Sequence, residues 1–207
     1  MEFNIVTESD NDRAFYGEIY HRLASVHKDY PSILFINAQN KQTIKNIIEP
    51  LRKFGVPAAA IPDIDILKDG GKTWMEWLRA AHIPNALHTG FSAQRVAIKD
   101  RFDATGKDMK ADGGINALSA TDKQAAEQLF QTLDAYGDFV VRGGELEHWL
   151  VQLGVPGKKT DWTVAMLERL GSDPADSSYV QPGTDDVWKF IEGVVQWVRT
   201  ATRKGTS

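Results

Sequence analysis

Two segments of similar design set the architecture of the chain, FNIVTESDND at residues 3–12 and VPAAAIPDID at residues 56–65. Each begins as a short apolar run, typical of a buried strand, and ends in a group of carboxylates. In an open parallel sheet, the residues just past the strand carboxyl ends border one shared crevice, where ligands bind. The two acidic groups are therefore expected to meet there, and a divalent cation with oxygen ligands would relieve their repulsion.

The residues between these segments predict a regular alternation of helices and strands. Apolar residues recur at helical spacing over Asn11–Ser25 and over Lys41–Phe54, where Gly55 is a typical C-cap. Ile33–Asn37 has the pattern of a buried strand, as has Val56–Ile61. The resulting β-α-β-α-β order predicts an α/β fold with a mainly parallel, Rossmann-like sheet flanked by helices.

The rest of the chain predicts added helices around this core. The expected elements, in order, are a helix Trp74–His82, a helix Ser92–Phe102, a mobile loop Ala104–Gly114, a helix capped by Thr121 and ending near Tyr136, a short strand Phe139–Val141, a helix Glu145–Leu153, a helix Thr160–Leu170, a loop Ser172–Gly183 and a helix from Asp185 to Arg203 capped by Thr184. We expect one domain over residues 1–170 with a helical insertion at 74–136, and a C-terminal loop and helix at 171–207 that pack on it.

Composition excludes several classes of protein. The 207 residues are 42% hydrophobic and 25% charged, as in ordinary globular proteins. Cysteine is absent, which excludes disulfides and thiolate metal sites and fits a reducing cytoplasm. The sequence has neither a long apolar run nor a signal peptide, so we expect a cytoplasmic protein without a membrane span.

The charge distribution bears on nucleic-acid binding. The formal net charge is −4, although basic residues gather locally at 95–110, 158–159 and 199–204. Proteins that grip DNA by their own surface usually have a basic face. If the substrate is nucleic acid, much of the grip is expected to come from another domain or subunit.

The acidic groups have ordinary interpretations beside the functional one. Asp10 and Asp12 suit the start of a helix, where acids favour the macrodipole, but Glu8 is a weak cap. Asp63 and Asp65 would lie on the same side of an extended segment and could chelate a metal, or they belong to a solvated turn. The later acids at 145 and 147 and the lysines at 158 and 159 are weak signals individually.

Two other patterns carry no function. The sequence GGKT at residues 70–73 resembles the end of a phosphate-binding P-loop, but Ile66 stands where the leading glycine is required. The five histidines show no zinc-ligand spacing.

Glu8 and the Asp63-Ile64-Asp65 triplet resemble the metal-binding motifs of Toprim domains, which occur in topoisomerases, primases and nucleases. The match is closer to the OLD-family ATP-dependent endonucleases, whose first motif has the form E-G-x-x-D; here it is Glu8 to Asp12, with Ser9 in place of glycine. Further resemblances are Asn37–Lys41 to the segment after the second strand, Gly144–Glu147 to the later acidic motif, and Gly157–Lys159 to the region of an essential lysine.

This resemblance implies a metal-dependent DNA endonuclease. It implies two Mg²⁺ or Mn²⁺ ions about 3.5–4 Å apart. The implied metal ligands are Glu8, Asp12, Asp63, Asp65 and Glu147. Glu8 is alternatively a general base, and Lys158 or Lys159 would neutralise charge on the phosphate.

The family also implies a partner. Such nucleases carry an ABC-type ATPase on the same chain or in trans, and many are linked to defence against phage. This sequence contains no Walker A motif, so we expect either an excised C-terminal domain or a stand-alone subunit.

Two alternatives of a different class stay open. The first is a non-catalytic docking domain for an ABC-type ATPase. The second is a phosphate-responsive receiver, in which Asp63 and Lys158 would be the key residues, although the chain length and Glu147 fit it poorly. Self-association, and DNA against RNA as substrate, are left open.

Overall fold

Three short parallel strands form the centre of the fold. In the computed structural model, which describes residues 3–206, they are β1 Phe3–Thr7, β2 Ile33–Asn37 and β3 Ala58–Ile61. β1 lies between β2 and β3, and both neighbours run parallel to it. The α/β class and the parallel sheet flanked by helices are therefore confirmed. The ends of the expected domains, residues 1, 2 and 207, lie outside the described residues.

Seven α-helices and five short 3-10 helices are described. The α-helices are α1 Asp10–Val26, α2 Lys41–Lys53, α3 Gly71–Ala80, α4 His88–Thr105, α5 Ala120–Asp134, α6 Lys159–Leu170 and α7 Asp186–Arg199. The 3-10 helices are Ile64–Lys68, Asn85–Leu87, Gly114–Ala117, Leu146–His148 and Val151–Leu153.

The helices cover both faces of the sheet. Side chains of successive strand residues point to opposite faces. Accordingly, Ile5 belongs to the buried cluster to which α1, α6 and α7 contribute, whereas Val6 belongs to the cluster to which α2, α3, α4 and α5 contribute. The crossover through α1 leads from β1 to β2 on one face. The connection from β2 through α2 crosses the opposite face of the sheet. It leads to β3, which lies on the other side of β1 from β2. The strand order therefore reverses between β1 and β3, which is where α/β sheets bind ligands.

The expected strand Phe139–Val141 is reduced to two isolated bridges beside β3. The Phe139 N–H donates to Ala60 O at 2.8 Å and the Val141 N–H donates to Pro62 O at 3.0 Å, in a parallel arrangement. Pro62 has no N–H to return. The ladder therefore does not extend into a full strand, and the segment still borders the reversal point.

The expected helix Glu145–Leu153 was wrong. The segment forms two 3-10 turns separated by Trp149 and Leu150, and the φ of Leu150 is +50°. The Leu150 N–H donates to Asp186 Oδ2 at 2.9 Å. In a continuous helix this N–H would donate to the carbonyl of residue 146. Asp186 thus competes with the helix for that donor.

Two expected caps were also wrong. Ser119, not Thr121, caps α5, and its Oγ accepts from the Asp122 N–H at 3.2 Å. Asp185, not Thr184, is the N-cap of α7. Over residues 3–206, none of the helices has both the length and the apolar character needed to cross a membrane.

Candidate metal centre

Three carboxylates meet at the reversal point of the sheet. Glu8, Asp63 and Asp65 each place a carboxylate oxygen within 4.8 Å of the other two. Glu8 directly follows β1, and Asp63 and Asp65 follow β3. The expectation that these acids meet at the strand carboxyl ends is confirmed.

Local backbone structure holds the three acids in place. Glu8 Oε1 accepts a hydrogen bond of 2.9 Å from the Asp63 N–H. Asp65 lies on the 3-10 helix Ile64–Lys68, and the Ile66 N–H donates to Asp63 O at 3.2 Å. The expected extended segment at 63–65 was therefore wrong. The turn buries the side chains of Ile64, Ile66 and Leu67, which are three of four successive residues. An extended segment would point Ile66 and Leu67 to opposite sides, so the turn buries more apolar surface.

Two lysines contact the acids. The Lys110 ammonium forms an ion pair with Asp63 Oδ2. Lys41 Nζ lies 2.9 Å from Asp65 Oδ2 and 3.6 Å from Asp69 Oδ1. Three clustered carboxylates therefore face two ammonium groups. Neither lysine was expected as a site residue, although Lys41 closes the 37–41 segment and Lys110 ends the basic run at 95–110.

Burial and repulsion hold protons in the cluster. Burial, aided by the charges of Asp65 and Asp12, raises the pKa of Glu8 to about 7. Burial and the charge of Glu8 raise the pKa of Asp63 to about 8, against the opposing effect of Lys110. For Lys110, burial disfavours the charged form, but Asp63, Asp65 and Glu8 outweigh it and the pKa is raised. Near neutral pH the Glu8–Asp63 pair therefore holds about one proton, while Lys110 stays charged.

Asp12 and Glu147 line the same cleft, which encloses about 310 Å³. Asp12 Oδ2 accepts from the Ser9 N–H at 2.8 Å and from the Ser9 hydroxyl at 2.7 Å, closing a capping box at the start of α1. Burial raises the pKa of Asp12. Glu147 Oε1 accepts from the Lys159 N–H at 2.6 Å. Each residue thus already uses one oxygen within the chain, and their role as metal ligands stays a prediction.

The two lysines implied by the resemblance are placed differently. Lys159 lines the cleft with Glu147, and its φ is +52°. Lys158 is the exposed N-cap residue of α6 and does not line the cleft. Lys159 therefore borders the acidic cleft and Lys158 does not, but the lysines that pair with Asp63 and Asp65 in the described part of the chain are Lys110 and Lys41.

The donor set fits a hard divalent cation. Carboxylate oxygens are the ligands that Mg²⁺ and Mn²⁺ prefer. Asp65 Oδ1 is buried and has no hydrogen-bond partner among the residues described. A buried carboxylate oxygen without a partner is costly, so an added ligand at this atom would stabilise it. Glu8, Asp63 and Asp65 are the residues that would hold one cation.

Comparison of the chain with protein-family models, with characterised proteins and with solved structures found no match. The resemblance to Toprim nucleases accordingly depends on the motif residues alone.

Proposed function

We propose that this protein is a metal-dependent hydrolase of DNA phosphodiester bonds, the activity that the Toprim resemblance implies. The observation that carries the proposal is the cluster of Glu8, Asp63 and Asp65 oxygens within 4.8 Å at the reversal point of a parallel sheet. Such clusters hold Mg²⁺ or Mn²⁺ in phosphoryl-transfer sites. A second cation, with Asp12 and Glu147 as additional ligands, belongs to the same proposal.

The chain's own residues have distinct roles in this proposal. In the hydrolysis, water adds to phosphorus, one P–O ester bond breaks, and the leaving oxygen takes up a proton. Bound Mg²⁺ or Mn²⁺ would supply Lewis-acid stabilisation of the phosphate and lower the pKa of water. Glu8 would hold the cation together with Asp63 and Asp65 or, in its alternative role, accept the proton of the attacking water. Asp63 and Asp65 would orient the cation.

Lysines would bind the negative phosphate. Lys110 already contacts the acid cluster, and Lys159 lies at the same cleft. An ammonium near the phosphate would stabilise the charge that develops in the transition state. We therefore add Lys110 to Lys159 and Lys158 as a candidate for the substrate-neutralising cation.

A partner completes the proposal. The net charge is −4, with 24 basic and 28 acidic residues, so the chain has no overall excess of positive charge with which to hold DNA. DNA would then be held mainly by an ABC-type ATPase domain or subunit, as the resemblance implies, and a role in phage defence follows from the same resemblance.

The decisive experiment is cleavage of a supercoiled plasmid by the purified chain with Mg²⁺ or Mn²⁺. We expect nicking that is abolished by a chelator and by the double variant Asp63→Ala, Asp65→Ala. The exposed pair Asp173→Ala, Asp176→Ala is the matched control, since both acids lie in the loop between α6 and α7. A double cluster variant that cuts at the wild-type rate would sink the assignment.

One observation favours a second candidate, the non-catalytic docking domain. Lys41 and Lys110 already pair with Asp65 and Asp63, so the acids are partly neutralised without a metal. Titration with Mn²⁺ separates the two functions. Metal binding without cleavage would favour a nuclease that requires its ATPase partner, whereas a site that stays empty would favour the docking domain.

A further inference from the structure

A second and larger cleft lies beside the acidic one. It encloses about 570 Å³ between α5, α7 and the segment 139–149. Gly143, His148 and Trp149 line this cleft, whereas Glu145 and Glu147 of the same segment line the acidic cleft. One short piece of chain therefore forms the boundary of both. No motif in the sequence drew attention to the second cleft.

The wall of the second cleft is aromatic and held in place. The rings of Trp149 and Phe190 have centroids 5.1 Å apart, and Phe139 meets Phe190 edge-on at 6.3 Å. The Trp149 indole N–H donates to the Tyr16 hydroxyl at 3.0 Å. Because its polar edge is satisfied, the partly exposed indole offers its apolar surface to a ligand. Planar bases stack on such rings in a sequence-tolerant way.

The polar groups of the cleft complement the aromatic wall. Lys189 on α7 is exposed, and Lys123 on α5 donates to Asn116 Oδ1 at 2.7 Å, so one cation from each flanking helix is near the cleft. Asp134 pairs through Oδ2 with Arg142 at 2.6 Å. Its Oδ1 is buried and lacks a hydrogen-bond partner within the described part of the chain.

We propose that this cleft binds one nucleotide, with the base against Trp149 and Phe190, the phosphate at Lys189 and Lys123, and an amino group of the base donating to Asp134. A planar apolar face, an anion and an exocyclic amino group are the three features that these residues complement. The nucleotide is either free or part of a nucleic-acid strand. The second source rests on the proposed nuclease function, and the first is independent of it.

Binding is measured without metal, so that cleavage plays no part. Quenching of tryptophan fluorescence is followed with CMP, UMP and a short single-stranded oligonucleotide, all in EDTA. We expect CMP to bind about tenfold more tightly than UMP, which lacks the amino group. An abasic strand of equal length should bind at least about tenfold more weakly than the oligonucleotide, because stacking is lost. Equal binding of CMP and UMP overturns the role of Asp134, and equal binding of the abasic strand overturns base stacking.

A blocking variant ties the signal to the cleft. Gly193 lines the cleft on α7, and a Cβ added there meets no other atom within 4 Å, so we expect Gly193→Leu to fold and to obstruct the cleft. Gly90→Leu is the matched control, since Gly90 is also helical, exposed and open, but on α4 away from the cleft. We expect Gly193→Leu to abolish binding and Gly90→Leu to leave it unchanged. Wild-type binding by folded Gly193→Leu overturns the proposal, as does the absence of any binding by the wild type.

The lysine variants and the two ligand sources complete the design. Lys189→Ala should lower the affinity for the nucleotide and make it less dependent on salt concentration. Lys28→Ala should do neither, because Lys28 lies beyond the C-terminal end of α1. Tighter binding of the oligonucleotide than of CMP, lost in Gly193→Leu, identifies a strand as the source. Equal binding of the two identifies a free nucleotide. Plasmid nicking that persists in a Gly193→Leu variant unable to bind CMP would separate this site from the nuclease centre.

Discussion

The Asp63 backbone N–H donates to Glu8 Oε1 at 2.9 Å, which ties the acid after β1 to the turn after β3. Asp63 is also bridged on its other side to Val141. The acid cluster is therefore attached to the backbone of the sheet and of its neighbouring segment. Burial raises the pKa of both acids, and the charges of neighbouring carboxylates add to this effect, whereas the hydrogen bond from the Asp63 N–H lowers the pKa of Glu8 without cancelling it.

The first prediction concerns pH and stability. The pKa of Glu8 is raised from 4.5 to about 7, so the folded protein binds more protons than the unfolded chain between these values. The stabilisation of the folded state that comes from protonated Glu8 is therefore fully present below pH 4.5 and is lost as the pH rises through about 7. Glu8→Gln keeps an acceptor for the Asp63 N–H and removes the charge. In EDTA, we expect it to be about 1–3 kcal/mol more stable than the wild type at pH 8, with little gain at pH 4.

Urea denaturation at several pH values measures this difference. Glu168→Gln is the control, because Glu168 is exposed on α6 and does not belong to the three-carboxylate cluster. A Glu8→Gln stability curve parallel to that of the wild type would show that Glu8 ionises normally in the fold.

The second prediction concerns cation binding. Mn²⁺ should raise the Tm of the wild type and should bind more tightly at pH 8 than at pH 6, since it displaces the proton held by Glu8 and Asp63. Asp65→Asn should lose most of this stabilisation. Asp69→Asn is the control, because Asp69 shares the Lys41 partner but does not belong to the three-carboxylate cluster. Calorimetric titration gives both affinities, and equal affinities for the two variants would contradict a site centred on Asp65.

The strands and the meeting of the acids could be predicted from local patterns. Ile33–Asn37 is a short apolar run between two segments of helical periodicity, and the strand in the structure has the same bounds. Because parallel strands end at a common edge, the position of Glu8 and Asp63 followed from the order of elements alone. The order of elements does not specify a protein family, because a three-stranded parallel sheet is shared by many α/β folds.

What could not be predicted depends on contacts between residues far apart in the sequence. Lys110 reaches Asp63 from a loop 47 positions later, and no local pattern specifies that approach. Asp186 takes the Leu150 N–H across 36 positions and breaks the helix that the sequence around Leu150 favours. The second cleft likewise is formed by α5, α7 and the segment 139–149, which meet only in the folded chain.

The third prediction separates two roles of Lys110. Lys110→Met removes a positive charge that contacts Asp63 and keeps most of the apolar length of the side chain. Cation affinity should rise several-fold, because a competing ammonium is gone. Plasmid nicking should nevertheless fall at least about tenfold if Lys110 also stabilises the phosphate. Lys72→Met, whose side chain is 90% exposed on α3, is the control. Nicking that rises with metal affinity would show that Lys110 acts only as a counter-ion.

The fourth prediction tests how the loop that carries Lys110 is held. A Cβ on Gly144 would lie 2.2 Å from Lys110 O, and the φ of Gly144 is +109°, which side chains rarely adopt. Gly144→Ala must therefore shift the backbone at Lys110 or that of Gly144 itself. We expect a loss of stability of about 2–4 kcal/mol, together with a change in cation affinity, because the ion pair to Asp63 moves with the loop. Urea denaturation and Mn²⁺ titration measure the two effects.

Gly106→Ala is the matched control for this variant. Gly106 also has a positive φ, of +66°, but a Cβ there meets no other atom within 4 Å. It should cost only the backbone strain, about 1 kcal/mol, and leave the cation affinity unchanged. If both variants lose the same stability, the close approach of Gly144 to Lys110 does not constrain the loop. If Gly144→Ala loses stability but binds Mn²⁺ as the wild type does, Lys110 keeps its place through contacts other than this one.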